Sequence, residues 1–303
     1  MDSILRKINS LRNSESFAGY MFILPCLFFL LFMAILPVFL TAIISFTNWG
    51  SVATDISKLS FVGFKNYIDL FKDATFYTAL KNNILLLFYT IPVQLVVSFI
   101  LAVLINKYCY FKNFFKAIYF LPYISSTVAV ATIWMVVMQP SYGPLTEMLK
   151  AMGIENTPKW LSDLHWALPS LSGMVVWQNL GYDIVIILAA LQTVPAEMYE
   201  SADIDGANWF VKIRKITLPM ITPTIFFLII YEIMETFRIF DQISVLTDGG
   251  PGDATQVLVY YLYKQAFRNS HINYGATITV VLFIIVFAIT LVQWIFRKKW
   301  VHE

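Results

Sequence analysis

Six long apolar stretches dominate this sequence, each close to or above the roughly 20 residues with which a helix crosses a lipid bilayer. They are Tyr20–Phe46, Ile84–Ile105, Ala117–Met138, Leu168–Val194, Ile221–Leu246 and Ile278–Phe296. Apolar and polar residues do not alternate along them, which favours helices, because a helix closes its backbone hydrogen bonds within one segment. Only 13% of the residues are charged, against roughly 25% in soluble domains. We therefore predict an all-α integral membrane protein with six transmembrane helices.

The basic residues predict how the chain is oriented. If the N-terminus is cytoplasmic, the inside segments carry twelve Lys and Arg residues and the outside segments carry eight, spread over longer loops. Basic residues accumulate on the cytoplasmic side of membrane proteins, most strongly beside the ends of spans. We predict that both termini are cytoplasmic, with residues 1–18 as a cytoplasmic segment and residues 19–300 as the membrane domain. The long first stretch, with no globular domain after it, argues against a removable signal peptide.

Several other kinds of function are not expected. The net charge of +2 gives no indication of nucleic-acid binding. Cys26 in the first stretch and Cys109 in an inside loop share no compartment, so neither a disulfide nor a metal site is predicted. The three histidines show no ligand spacing, and the phosphate-binding pattern G-x-x-x-x-G-K-S/T is missing from the sequence.

A polar segment, residues 195–219, separates the fourth stretch from the fifth. Pro195 suits the beginning of a short helix, and Gly206 can end that helix in the left-handed conformation. Asn208 is a suitable cap for a second helix, after which Pro219 bends or begins the fifth span. The turn is rich in small residues that would let it enter a groove of another protein: Ser201, Ala202, Gly206 and Ala207.

The same segment is also compatible with an amphipathic hairpin lying on the membrane surface. In that interpretation Lys212, Arg214 and Lys215 contact lipid phosphates. These physical considerations alone leave both interpretations open.

The polar segment resembles the EAA motif of the inner-membrane permease subunits of binding-protein-dependent ABC importers. That motif has the approximate form E-A-A-x-x-D-G-A, followed after a spacer by I-x-L-P. Ser201 stands in place of the first alanine, and Ile213 stands where an aromatic residue is common. The matching residues are Glu200, Ala202, Asp205, Gly206, Ala207, Ile216, Leu218 and Pro219.

The resemblance covers nearly the whole chain and is strongest to the carbohydrate-uptake permeases of the maltose or glycerol-phosphate type. The stretches that carry it are 64–67, 120–122, 133–134, 142–143, 177–182, 190–195 and 246–252. The resemblance implies a type I ABC-importer permease fold. It also implies a non-catalytic subunit of the prokaryotic cytoplasmic membrane that supplies half of a translocation pathway.

The partners implied by the resemblance are a second homologous permease, a dimer of cytoplasmic ATPases and an extracytoplasmic sugar-binding protein. ATP and Mg²⁺ would bind the ATPases, so this chain would need no cofactor of its own. Its EAA helix would dock into a cleft of one ATPase, and closure of the ATPases would turn the pathway from inward-facing to outward-facing. The residues predicted to couple to the ATPase are Glu200, Ser201, Ala202, Asp205, Gly206, Ala207, Leu218 and Pro219.

The fifth stretch carries charges, which are costly inside a membrane and therefore mark functional candidates. On a continuous helix Glu232, Glu235 and Arg238 share one face, and Arg238 neighbours both Glu235 and Asp241. These charges either neutralise one another or face a pathway. Glu232 has no basic partner on its own helix. Asp183 in the fourth stretch could pair with the companion permease or belong to the pathway, and the sequence leaves both open.

Sugars are bound by carboxylates, amides and aromatic faces. In the maltose-type permeases the sugar contacts fall around the W-x-x-L-G stretch and the middle of the fifth span. An aromatic residue in a span more often serves packing than ligand binding, so each position stands as a separate prediction. The resemblance implies pathway roles for Trp177, Leu180, Gly181, Glu235, Thr236 and Ile239, and secondarily for Gln178 and Glu232.

Two other classes of protein remain as alternatives. A stand-alone secondary transporter could use Glu232 and Asp183 for proton coupling, although no inverted repeat with broken helices is evident. A membrane-embedded enzyme would need a cluster of titratable or metal-binding groups, which the positions of His165, His271 and His302 do not provide. A purified complex with an ATPase and a second permease would distinguish the importer subunit from the stand-alone transporter.

Overall fold

The computed structural model describes residues 15–51 and 59–300, with side chains described from residue 19 to residue 296. Most of the predicted cytoplasmic segment 1–18, and His302, lie outside the described residues. The described chain is helical, and its one β-bridge pairs Thr47 with Phe61. It divides into two compact units, the described residues up to 70 with 265–280, and residues 71–264 with the described residues from 281 onward.

The first unit contains the first apolar helix and the beginning of the last one. Its helices are α1 (Glu15–Leu30), α2 (Leu36–Ile44) and α3 (Lys65–Leu70), and a π-helical turn, Leu31–Ile35, joins α1 to α2. Over Gly19–Ile44 these elements form one apolar helix with no buried residue in its most apolar window. The last helix, α14 (Ile272–Trp300), begins in this unit after the π-helical turn Lys264–Arg268.

Asn66 is the polar centre of the first unit. Its Nδ2 group donates hydrogen bonds to the carbonyl oxygens of Ser45 and Thr47, both at 2.8 Å. Its Oδ1 atom accepts one from Asn273 Nδ2 at 3.2 Å. Thr277 Oγ1 donates to the Ser45 carbonyl at 3.3 Å. The end of α2, α3 and the beginning of α14 are therefore joined by side-chain bonds that satisfy carbonyls left free where α2 ends.

The second unit contains the remaining helices, ordered α4 to α13, and the rest of α14. They are α4 (Ala74–Tyr108), α5 (Lys112–Ile124), α6 (Thr127–Val137), α7 (Pro144–Ala151), α8 (Ala167–Leu191), α9 (Ala196–Ile204), α10 (Trp209–Lys212), α11 (Leu218–Arg238), α12 (Asp241–Leu246) and α13 (Leu258–Tyr263). A 3₁₀ turn, Trp160–Ser162, precedes α8, and a π-helical turn, Ile213–Thr217, joins α10 to α11.

Helix α8 is the centre of the second unit and packs against α4, α5 and α11. Its first half contributes Leu168, Leu171 and Met174 to one buried apolar cluster, which also contains residues of α6, α12 and α13. Its second half contributes Ile184 and Leu188 to another cluster with α4 and α11. A helix that is buried on most sides explains why the fourth stretch is apolar all round.

Within the described residues, the six predicted spans correspond to five long apolar helices and one bent pair. The third span is the bent pair, in which α5 and α6 meet at 93°. Pro122 weakens the last turn of α5, since its ring has no N–H to donate. Ser125 has an extended backbone, and its Oγ atom donates to the Leu121 carbonyl at 2.8 Å. The serine hydroxyl thereby satisfies a carbonyl that a continuous helix would have bonded through its backbone.

The prediction that the fifth span runs to Leu246 is wrong. Helix α11 ends at Arg238, and the backbone turns at Ile239 and Phe240 before α12 begins at Asp241. Ile239 is buried, and the Phe240 ring packs against Tyr263 with ring centroids 4.9 Å apart. Irregular backbone is tolerated at membrane depth where protein encloses it, and the burial of Ile239 provides that enclosure.

Helices α5 and α8 approach each other closely at Gly181 of α8. A Cβ atom added there would lie 1.9 Å from the carbonyl oxygen of Tyr119 in α5. Glycine is therefore required for α5 and α8 to pack at this distance.

We predict that Gly181→Ala destabilises the protein by about 1–3 kcal/mol, because α5 and α8 must move apart to admit the methyl group. Gly173→Ala on the same helix is the matched control, since its Cβ would meet nothing within 4 Å. Thermal unfolding of the purified variants measures the difference. Equal melting temperatures for the two variants would contradict the assigned contact.

Candidate functional site

Gly206 forms the turn at the centre of the polar segment. It has a φ of +73°, which confirms the prediction of a left-handed glycine at the end of α9. Its N–H group donates to the Asp203 carbonyl at 3.1 Å, and the Ala207 N–H group donates to the Ala202 carbonyl at 2.8 Å. These bonds satisfy carbonyls that the end of a helix would otherwise leave free.

Asn208 begins the helix that follows this turn. Its Oδ1 atom accepts a hydrogen bond from the Val211 N–H group at 2.9 Å, which confirms the predicted cap. This second helix continues into the fifth span as one element, Trp209–Arg238. In the π-helical turn between α10 and α11 the Leu218 N–H group bonds to the Ile213 carbonyl. The wider turn lies directly before Pro219, which has no N–H, so the chain passes the proline without ending the helix.

Two side-chain contacts hold α9 against the helix that follows the turn. The hydroxyl groups of Tyr199 and Thr217 are hydrogen-bonded at 2.9 Å. Lys212 forms an ion pair with Asp203 across the glycine turn. The sequence prediction assigned no role to Tyr199 or Asp203. The opposite charges of Asp203 and Lys212, on either side of Gly206 in the sequence, could have indicated the ion pair.

The surface of the turn matches the predicted small, exposed motif. Glu200, Ser201, Asp205 and Gly206 are exposed, while Ala202 and Ala207 are partly exposed. A large apolar side chain accompanies them, since Ile204 is 88% exposed. Leu218 and Pro219 lie apart from this tip, partly buried at the beginning of α11. The tip therefore combines acidic, small and apolar groups.

A second candidate site is a polar cavity of about 300 Å³ in the second unit. Residues of α4, α5, α6, α8, α11 and α12 line it, together with the connection between α11 and α12. Five of the eight predicted pathway residues line this cavity: Gln178, Glu232, Glu235, Thr236 and Ile239.

The other three predicted pathway residues do not line the cavity. Trp177 is exposed on α8, and its ring contacts the ring of Trp134 with centroids 5.5 Å apart. Leu180 belongs to the second apolar cluster. The space next to Gly181 is occupied by the backbone of α5. Sugar contact by these three residues stays a prediction, and their packing has a structural explanation.

The sequence prediction missed several cavity residues, including Tyr123, Thr127 and Asn179. The bend between α5 and α6 brings Tyr123 and Thr127 to the cavity. The hydroxyl of Tyr123 is hydrogen-bonded to that of Tyr231 at 2.8 Å. The Tyr182 ring packs between these two tyrosines, with centroid distances of 5.0 and 4.7 Å. The polar residues that follow Pro122 in the sequence could have indicated Tyr123 and Thr127.

The charges that line the cavity differ from the predicted ladder. Arg238 Nη1 lies 3.1 Å from Glu235 Oε1, as its spacing on the helix predicts. The prediction that Asp241 neighbours Arg238 on one helix is wrong, because α11 ends at Arg238 and Asp241 begins the next helix. Asp241 lines the same cavity from the first turn of α12. The cavity wall thus carries three carboxyl groups and one guanidinium group among its described residues.

Asp183 and Glu232 form a buried pair beside the cavity. Both side chains are at most 2% exposed, and their carboxyl groups lie within hydrogen-bonding reach of each other. Gln94 Nε2 of α4 donates to Asp183 Oδ2 at 3.1 Å. Asp183 therefore has Gln94 and Glu232 of the same chain as neighbours.

Among residues 15–51 and 59–300, no group of three or more His, Cys, Asp or Glu side chains is arranged to hold a metal ion.

Residues 76–300 match the family described as the inner membrane component of binding-protein-dependent transport systems. The chain is 34% identical to a probable ABC transporter permease protein, YurN of Bacillus subtilis, over 96% of its length and 99% of that protein. It is 33% identical to the arabinooligosaccharides transport system permease protein AraP of the same species, over 92% of this chain and 88% of AraP.

A solved structure shows the same fold. It is a chain of a bacterial alginate ABC transporter in complex with a periplasmic protein that carries an alginate pentasaccharide. The TM-score is 0.83 at 23% sequence identity, and 96% of each chain is covered. The all-helical type I permease fold implied by the sequence resemblance is therefore confirmed.

Proposed function

Because the chain belongs to the family of inner membrane components of binding-protein-dependent transport systems, we propose that it is a permease subunit of an ATP-driven sugar importer. It forms half of the translocation pathway and works by alternating access. The observation that carries the proposal is the exposed turn at Gly206, which lies one helix away from the polar cavity along the chain. The arabinooligosaccharide relative supports a sugar as the substrate.

The coupling part of the proposal depends on the shape and chemistry of the Gly206 turn. The exposed side of α9 offers Glu200 and Asp205 as charged contacts and Ile204 as an apolar contact. The turn itself adds little bulk, because the space around Gly206 is open. Such a surface can enter a groove and bury apolar area there while its charges stay at the rim. The groove belongs to a cytoplasmic ATPase.

Two side-chain contacts within the segment make this turn suited to transmit a displacement. The Tyr199–Thr217 hydrogen bond and the Lys212–Asp203 ion pair connect α9 to the segment that continues into α11. Helix α11 in turn carries Glu232, Glu235 and Thr236 to the cavity. A displacement of the turn is therefore transmitted along a continuous helical element to the cavity wall. This is the mechanical link that alternating access needs.

The pathway part of the proposal depends on the polarity of the cavity. Gln178, Asn179 and Thr127 offer amide and hydroxyl groups, and Glu232, Glu235 and Asp241 offer acceptors for sugar hydroxyls. Tyr123 adds an aromatic ring at the same wall. Polar groups that converge beside an aromatic ring are the usual composition of a site for a polyhydroxylated ligand.

The remaining partners follow from this assignment. A second homologous permease completes the pathway, two ATPases bind ATP and Mg²⁺, and an extracytoplasmic binding protein delivers the sugar. The complex lies in the cytoplasmic membrane of a prokaryote. The predicted orientation, with both termini inside, places the Gly206 turn on the side of the ATPases.

We expect Gly206→Val to uncouple ATP hydrolysis from sugar uptake while leaving membrane insertion intact. A valine at φ +73° costs about 1–2 kcal/mol, which lowers the population of the docked turn by roughly tenfold. Uptake and ATPase activity are measured together in proteoliposomes. Gly153→Val is the matched control, because Gly153 also has a positive φ and open surroundings outside the segment. Normal coupling in Gly206→Val would refute the docking role.

We expect Glu235→Ala to weaken sugar uptake without loss of complex assembly. Removing a charged acceptor from a sugar hydroxyl costs about 1.5–3 kcal/mol, a roughly tenfold to hundredfold decrease in apparent affinity. The concentration dependence of uptake measures this change. Glu147→Ala is the control, since Glu147 forms a similar i,i+3 ion pair with Lys150 at 2.8 Å and does not line the cavity. Loss of assembly in Glu235→Ala alone would indicate a structural role instead.

A further inference from the structure

Asp183 and Glu232 form a contact that is unusual for two acidic side chains. The two residues come from α8 and α11, are 0% and 2% exposed, and lie within hydrogen-bonding reach of each other. Asp183 Oδ1 and Glu232 Oε1 are buried and accept no hydrogen bond from the described residues. Each carboxyl group therefore has an oxygen whose hydrogen-bonding capacity is unused.

Gln94 of α4 completes the cluster and is fully buried. Its Nε2 group donates to Asp183 Oδ2 at 3.1 Å, while its own Oε1 atom has no hydrogen-bond partner among the described residues. Burying an unpartnered polar atom costs free energy. Gln94 also lies within hydrogen-bonding reach of Glu232, but one amide group cannot by itself satisfy the oxygens of two adjoining carboxyl groups.

No basic side chain among the described residues neutralises the pair. The nearest titratable groups are Tyr182 on α8, Tyr231 and Glu235 on α11, and Tyr123 on α5, while α4 contributes Gln94. Arg238 is the basic residue of the cavity wall and pairs with Glu235 instead. Two neighbouring carboxylates would repel each other strongly in this buried place.

We propose that Asp183 and Glu232 together bind a single proton, which is held between their carboxyl groups. The proton turns a repulsive contact between two acceptors into a charge-assisted hydrogen bond. It also leaves one negative charge, which accepts the Gln94 amide hydrogen. The bound proton thus joins α4, α8 and α11 at a point where Glu232 also lines the cavity.

The proton is a structural ligand of the cavity wall, and its binding does not depend on the sugar or on ATP. Its loss would place two negative charges between α8 and α11 and push these helices apart. The folded chain binds one proton more than it would if both groups ionised freely, so its stability must fall as the pH rises through release of that proton.

The test compares the wild-type chain with Glu232→Gln and Asp183→Asn, each purified at full length with any partners that remain bound. Each amide places a permanent N–H donor between the two groups, as the proton does. We expect the wild-type melting temperature to fall by about 4 °C or more between neutral and alkaline pH. Both variants should lose most of this dependence, whereas Glu235→Gln, which alters a partly exposed carboxyl group on the same helix, should retain it.

Infrared spectroscopy provides a second measurement, and its deciding result comes from the wild-type protein alone. The wild-type protein should show the C=O band of a buried protonated carboxyl group at neutral pH, shifted in D₂O, and Glu232→Gln should lack it. The absence of this band from the wild-type protein would overturn the proposal. An equal pH dependence of melting in the wild type and both amide variants would also overturn it. Neither result would bear on ATPase coupling or sugar transport.

Discussion

The close packing of α5 against α8 at Gly181 is the contact on which the second unit depends. Because no side chain separates the helices there, Tyr123 approaches Tyr182 and Tyr231, and the bend after α5 delivers Thr127 to the cavity. On its other sides α8 packs against α4, α11 and α12, so one buried helix contacts four of the other helices that line the cavity. The same helix ends a few residues before the segment that contains Gly206.

Features set by local chemistry could be predicted from the sequence. The left-handed Gly206 and the Asn208 cap follow from backbone and hydrogen-bonding preferences of single residues, and both are confirmed. Hydropathy alone does not reveal the two breaks, between α5 and α6 and between α11 and α12, because it cannot distinguish a bent apolar segment from a straight one. Ile239 and Phe240 are apolar, so the sequence predicts that the helix continues through them. Tertiary packing holds them in an irregular turn instead.

Some features of the cavity could likewise be predicted from the sequence, and others could not. Glu235 and Arg238 were predicted as neighbours from their helical spacing, and they pair. The resemblance implies a pathway role for Gly181, but the space next to this residue is filled by the backbone of another helix. The Asp183–Glu232 contact joins residues 49 positions apart (232 − 183 = 49) on two helices, so no local pattern could reveal it. In a membrane protein such pairings decide where polar groups are tolerated, because lipid offers them no partners.

The central claim is that the Gly206 turn docks into an ATPase, and site-specific photo-crosslinking tests it most directly. A photoreactive amino acid replaces Ile204, which is 88% exposed beside the turn, and a control places it at Tyr142, which is 67% exposed between α6 and α7. In native membranes we expect position 204 to form an adduct with an ATPase subunit and position 142 to form none. An ATPase adduct from position 142, or its absence from position 204, would contradict the account.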